Sequence, residues 1–321
     1  MRGGILLVPK HASCHTFPAY APRATRPKRR VSSPPTTRRS FLKLGAGAAV
    51  AAMALDAGLW EPYHPRLVRI EVPIRNLAEA LDGFTIVQLS DFHYDPHFGA
   101  RQIKAGVELA NRLSPDLVAL TGDFVTYPLI QSAIRKRRTA QLVDPCIDLL
   151  CGIKSPLGSY AILGNHDAGS IEPVVKEALQ RREIPLLKNR AVPIERNGAR
   201  FWLAGVDDAM DGRPDLDQAL KNIDESEPVV LLAHEPDFAD EAARYKVDLQ
   251  LSGHSHGGQI RVPYAVHLYL PPLARKYPWG LRQIKDLTLY TNLGVGTIHV
   301  PFRWNCPAEV SLITLRTKRR Q

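Results

Sequence analysis

Short apolar runs rich in aliphatic and β-branched residues recur along the chain, and five of them stop in a polar cluster. FTIVQL (84–89) leads into Ser90, Asp91, Phe92 and His93, and DLVAL (116–120) into Thr121, Gly122 and Asp123. YAIL (160–163) leads into Gly164, Asn165, His166 and Asp167, VVLLA (229–233) into His234, and DLQL (248–251) into Gly253, His254, Ser255 and His256. Runs of this length and composition predict buried strands. Between them, stretches with helical spacing lie around 101–113, 139–151, 171–182 and 236–244. Strands alternating with helices predict an α/β domain, and in such folds ligand sites gather beyond the carboxyl ends of strands. The polar clusters are therefore expected to meet at one place.

The spacing within the clusters supports that expectation. Side chains two apart on an extended segment point to the same side, so His254 and His256 can face one site, as can Asp91 and His93. Gly253, Gly257 and Gly258 let the backbone turn tightly around them. Singly, each feature has an ordinary explanation: a His-x-His pair as a satisfied surface or core pair, a Gly-Asp as a turn, His234 as a buried hydrogen-bonded histidine. The ordered set is what points to chemistry.

Composition narrows the reading. The 321 residues are 45% hydrophobic, enough for a substantial core, and the formal net charge is +10. Ten Lys and Arg and no Asp or Glu fall in residues 1–54, which leaves 32 basic against 32 acidic residues in 55–321. A neutral body weighs against nucleic-acid binding, because tracking phosphates needs a basic surface. Within the leader, TTRRSFLKLGAGAAVAAMA (36–54) resembles a twin-arginine export signal: Arg38 and Arg39, a small, mildly apolar stretch too Gly-rich for a good helix, and small residues at 52–54. Residues 1–54 are read as that signal with its long leader, 55–67 as a linker and 68–321 as the catalytic domain. Translation is expected to start at Val31. The resemblance implies passage through the twin-arginine translocase to the periplasm or the outer face of the cytoplasmic membrane, with the signal either cleaved or kept as an anchor. Cys14, Cys146, Cys151 and Cys306 show no zinc spacing and are read as structural thiols, with a disulfide left open.

Taken in order, Asp-x-His, Gly-Asp, Gly-Asn-His-Asp, a single His and Gly-His-x-His resemble the motifs of the calcineurin-like metallophosphoesterases, over roughly residues 68–315. LDGFTIVQLSDFH, LAHEPD, LSGHSHGGQI and NLGVGTIHVPFRWNCPAEVSLITL look like the bacterial exported branch. The resemblance implies a four-layer α-β-β-α sandwich of two mixed sheets and two divalent metal ions. It implies that Asp91, His93, Asp123 and His256 hold one ion, that Asp123, Asn165, His234 and His254 hold the other, and that Asp123 bridges. A ligand set of carboxylate, imidazole and amide oxygen suits Mn, Fe, Zn or Co. His166, freed from ligation by its neighbour Asn165, is expected to protonate the leaving oxygen or stabilise the transition state, with Asp167 orienting its ring or capping the loop.

Other residues carry weaker expectations. His97 and His299 are read as loop histidines that can line the pocket. Asp207 and Asp208 are read as neighbours of the site or as a turn, and Arg135–Arg138 as a solvated face or a phosphate contact. YAVHLYLPPLARKYPWG (264–280) is read as a packed irregular loop or a lip for acyl chains. The expected activity is hydrolysis of a phosphomonoester, phosphodiester or pyrophosphate in the cell envelope. A lipid-linked substrate such as a UDP-2,3-diacylglucosamine-like molecule is a named choice, although export counts against that one because nucleotide-sugar lipids are made in the cytoplasm. Contact with a membrane surface is expected and nucleic acid is not. The alternatives are a catalytically silent scaffold of the same fold, or a nuclease.

Overall fold

The computed structural model describes residues 37–127, 132–262 and 269–318. The expected start at Val31 and Cys14 lie outside them. The described chain divides into two units between Ala46 and Gly47. Helix α1, Arg38–Leu55, buries none of its residues. The glycines expected to prevent a helix do not do so. The helical run continues as single turns to Tyr63, and by length and composition Arg38–Tyr63 can cross a membrane, with a mean hydropathy of 1.4.

The expected linker, 55–67, is fixed to the domain rather than free. Ala57 O accepts the Arg303 N–H (2.9 Å), Glu61 accepts the Cys306 N–H (3.4 Å), and Arg101 stacks over the Tyr63 ring at 4.4 Å. Strand β1, Arg66–Ile74, begins within its last residues.

Beyond it run β2 (Thr85–Leu89), α2 (Gly99–Leu113), β3 (Leu117–Leu120), α3 (Ala133–Leu150), β4 (Ser159–Ala161), α4 (Glu172–Arg181), β5 (Arg190–Arg196) and β6 (Ala199–Gly205). There follow α5 (Leu216–Ala219), β7 (Val229–Leu232), α6 (Ala239–Ala242), β8 (Leu249–Ser252), β9 (Gly280–Ile284), β10 (Leu287–Thr291) and β11 (Glu309–Thr317). They build two mixed sheets, ordered β1-β11-β2-β3-β4 and β5-β6-β7-β8-β10-β9. In the first, β2, β3 and β4 are parallel and β11 is antiparallel to β2; in the second, β6, β7, β8 and β10 are parallel between antiparallel edges.

Strand period two sorts the apolar side chains into layers. Val87, Leu89, Val118 and Leu120 pack under α2, α3 and α4, with Ile103, Val143, Ile147 and Val175. Ile86, Leu117 and Ala119 on the opposite face meet Leu203, Val230, Leu232, Leu249 and Leu251 of the second sheet, where Phe84 and Phe201 lie edge to face at 5.1 Å. Val229 and Leu231 turn outward against α5 and α6. Helix, sheet, sheet, helix is the expected four-layer sandwich. Each fully buried Val, Leu or Ile contributes ~1.5–3 kcal/mol, so strands apolar on both faces are stable only with a layer covering each face.

Candidate active site

All five polar clusters lie just past the carboxyl ends of β2, β3, β4, β7 and β8, and the fold brings them together. Asp91, His93 and His256 form one group whose ligating atoms lie within 4.8 Å of one another; Asp123, His234 and His254 form a second. Asp123 sits between them, with Oδ2 3.4 Å from His93 Nε2 and 3.2 Å from His234 Nε2. All six are buried.

The route to convergence differs from the expected one. Asp91, His93, His254 and His256 are not on extended segments: their φ angles are +55°, +41°, +66° and +47°, and Asp123 stands at +58°. Left-handed backbone at non-glycine residues is uncommon and collects at functional sites. Here it folds each motif into a tight loop that aims both outer residues inward. Close approach requires Gly253, where a Cβ would collide with Ser90 Oγ and Asp91 Oδ2.

The outer atoms of the imidazoles set which nitrogen faces the centre. His93 Nδ1 meets Thr126 Oγ1 (3.1 Å) and His234 Nδ1 meets the Thr121 carbonyl (2.6 Å), so each turns Nε2 inward. His254 does the reverse, with Nε2 on the Pro272 carbonyl at 2.9 Å. Partners of this kind fix tautomer and ring direction in metal sites. Among the described residues, Asn165 Oδ1 is buried without a hydrogen-bond partner. An unpartnered amide oxygen beside carboxylates fits a cation.

Electrostatics agree. Burial alone would raise the Asp123 carboxyl, but the imidazoles of His234 and His166 hold it well below the usual carboxylate range. Burial lowers His254 to about 3, and burial with the neighbouring His93 pushes His256 well down. Both are then neutral near pH 7, the form that ligates metal. His234 is opposed by burial yet held protonated by Asp123, a proton that a divalent cation would displace.

His166 and Asp167 part company. The Tyr127 N–H donates to His166 Nδ1 at 2.8 Å, which leaves the proton of the neutral ring on Nε2. Burial lowers the His166 imidazole to about 4. Asp167 does not orient that ring. Its fully buried carboxylate accepts the N–H groups of Asp123 (2.6 Å), Phe124 (2.9 Å) and Gly164 (3.1 Å), so it ties the Asp123 loop to the Asn165 loop.

A cavity of about 460 Å³ opens on the site. Asp123, Asn165, His166, His254 and His256 form its polar side, and Met210, Ile260, Pro271, Pro272, Ile298 and Val300 its apolar wall. His299 lines it and His97 lies exposed on a loop outside it. Asp207 and Asp208 are a turn: their carboxylates accept the N–H groups of Asp208, Met210, Asp211 and Arg213. Arg135, Arg137 and Arg138 face solvent. Of the expected lip, 264–268 lie outside the described residues; Tyr269, Pro271 and Pro272 line the cavity, whereas Leu270 is buried packing. Cys146, Cys151 and Cys306 are free thiols.

Two supporting residues escaped the sequence reading. Arg303, fully buried, donates to the carbonyls of Leu293, Gly294, Gly296 and Cys306, and the loop it holds bonds the Ser90 and Asp91 carbonyls through Val295 and Gly296. Gln259 fastens the cavity wall by bonding the Ile298 N–H and the Ile298 and Val300 carbonyls. Neither residue belongs to a ligand motif, so spacing gave no signal for them.

The fold and site define a metal-dependent phosphoric ester hydrolase. The calcineurin-like phosphoesterase model matches residues 84–258, and the chain belongs to that family, whose members work with two metal ions. It is 32% identical over 290 residues to YkuE of Bacillus subtilis, an uncharacterized metallophosphoesterase, covering 88% of this chain and 98% of that one. It is 28% identical over 288 residues to YaeI, a phosphodiesterase of Escherichia coli, covering 87% and 99%. A transmembrane protein with a metallophosphoesterase domain from Danio rerio is 31% identical over 268 residues, 78% of this chain and 57% of that one.

Proposed function

We propose that the chain is a dinuclear phosphodiesterase, exported by the twin-arginine route, whose substrate carries an apolar or lipid group on one side of the scissile phosphate. One observation carries the reading: among the described residues lining the cavity there is no Lys or Arg, and one wall is apolar. A phosphomonoester brings two negative charges to a cavity without cations and only one substituent to lay against the wall. A diester presents less charge and a second group that fills it. The phosphodiesterase YaeI supports the same choice, and the missing cations weigh against a nuclease.

Asp91, His93, Asp123 and His256 would hold one metal ion, and Asp123, Asn165, His234 and His254 the other. Two divalent ions bound there would supply a hydroxide near neutral pH and polarise the phosphoryl oxygens. The protein's own part is placement. Asp123 stands between the groups, its backbone held by Asp167. His166, with Nδ1 occupied by the Tyr127 amide, presents its Nε2–H to the leaving oxygen. The wall of Ile298 and Val300, fixed by Gln259, orients the apolar substituent.

The test is turnover by purified protein, with Mn or Zn added, of bis-p-nitrophenyl phosphate, p-nitrophenyl phosphate and a lipid pyrophosphate. Faster turnover of the diester than of the monoester is expected, and a KM for the lipid substrate below that for either. Preference for the monoester would make the protein a phosphatase. No turnover of any of them would favour the silent scaffold.

A further inference from the structure

Among the described residues, Leu59, Trp60, Val300 and Phe302 are large apolar side chains between 43% and 62% exposed, and Val300 lines the cavity. They form one tract. A Cβ at Gly58 would lie 2.9 Å from the Phe302 ring, so the turn bearing Leu59 and Trp60 packs on Phe302. The Ala57 carbonyl accepts the Arg303 N–H at 2.9 Å, which locks the turn to the 298–303 segment. Two residues before Phe302, Val300 already lines the cavity. The tract therefore runs from the end of the helical stretch to the rim of the site.

The chain that enters the tract identifies its occupant. Helix Arg38–Leu55 buries no side chain, has Arg38, Arg39 and Lys43 at its start, and belongs to a run that by length and composition can cross a membrane. Trp60 stands at the far end of that run, where an indole with an apolar body and a polar N–H favours the membrane–water boundary. Glu61 and Tyr63 follow and are held to the body.

We propose that this tract is a lipid-docking surface: Leu59, Trp60 and Phe302 lie in the headgroup boundary of a bilayer, and Val300 carries the same surface into the cavity. The inference rests on the lipid-phosphodiester reading above and deepens it. With anchor, tract and cavity wall joined through the 57–303 contact, the scissile phosphate of a membrane lipid lies near headgroup level and reaches the site while its acyl chains stay in the bilayer. Cleavage of the export signal at 52–54 would leave the tract in place.

The test uses the full chain in phosphatidylethanolamine and phosphatidylglycerol vesicles with brominated acyl chains. Trp60 emission is isolated as the difference between the wild type and Trp60→Phe, and Phe302→Trp adds a second reporter. Both signals should fall by at least half in brominated relative to plain vesicles. If neither is quenched while the protein sediments with the vesicles, the helix alone anchors and the tract faces water, which overturns the proposal. So does quenching-free shielding of Trp60 that depends on protein concentration, the mark of a second copy on the tract. In the variant with Trp60→Ser and Phe302→Ser, hydrolysis of a vesicle-borne phosphodiester should fall about tenfold, with bis-p-nitrophenyl phosphate turnover unchanged. Equal loss on both substrates overturns the docking role. Absent turnover in the wild type refutes the phosphodiesterase reading instead, and leaves the quenching result to decide the docking surface.

Discussion

Replacing Asp167 with alanine separates two roles for the residue beside His166. Its carboxylate accepts three buried backbone N–H groups, from Asp123, Phe124 and Gly164. Each donor left unpaired away from water costs about 1–3 kcal/mol, so three of them sum to about 3–9 kcal/mol, and with partial relaxation Asp167→Ala should fall in the lower part of that range, roughly 3–6 kcal/mol. For a domain of this size that corresponds to a fall in Tm on the order of 6–20 °C. Asp167→Asn keeps one oxygen but turns an NH₂ toward at least one donor, so its loss should be smaller, about 1–3 kcal/mol. Because the same bonds join the Asp123 and Asn165 loops, metal content should fall along with stability. The assay is thermal unfolding of both variants with and without chelator, with metal measured on the same preparations. If Asp167→Ala keeps its Tm and its metals while kcat collapses, the residue acts through His166 and the account of the loop is wrong.

His166→Ala should retain two metals per chain and lose about 10²–10⁴ in kcat on an alkyl diester, with a smaller deficit on nitrophenyl esters, whose leaving oxygen carries less charge for the Nε2–H to stabilise; loss of metal in this variant, checked by elemental analysis, would make His166 a ligand. Gly253→Ala drives a Cβ into Ser90 and Asp91 and should reduce bound metal to about one ion per chain with the fold kept, as read by circular dichroism and metal analysis. Arg303→Met leaves four buried carbonyl groups without their donor and should cost about 3 kcal/mol or more, with Arg303→Lys intermediate, measured by chemical unfolding. Arg38→Lys with Arg39→Lys should block export yet leave folded, active enzyme inside the cell, as fractionation and bis-p-nitrophenyl phosphate turnover would show.

What the sequence made legible was whatever depends on local pattern. The runs at 84–89, 116–120, 229–233 and 248–251 became β2, β3, β7 and β8 because aliphatic residues on both strand faces admit little else. Strand β1 escaped notice although Val68, Ile70, Val72 and Ile74 alternate along it, whereas the edge strand β9 has few apolar positions and gives a weak signal. At 236–244 the expected helix is broken into a 3₁₀ turn and the four-residue α6, with Pro236 opening it. At the site, residue types announced the ligand groups, but the left-handed backbone at Asp91, His93 and His256 did not follow from spacing. The Tyr127 amide on His166 is a backbone contact between loops 39 residues apart and carries no side-chain signature. Adjacency to His166 could not decide between the two readings of Asp167; the carboxylate points back at the Asp123 loop, as the loop-capping reading has it.

The central claim is that one carboxylate, Asp123, serves two metal sites that together make the nucleophile. Metal-free protein titrated with Mn or Zn, with bound metal and bis-p-nitrophenyl phosphate turnover measured at each step, tests it directly. Turnover should stay low until the second ion binds and then rise to a plateau at two per chain, and Asp123→Ala should bind neither ion tightly and lose nearly all activity. Full activity at one ion per chain, or an Asp123→Ala protein that keeps two ions and hydrolyses the diester, would contradict the account.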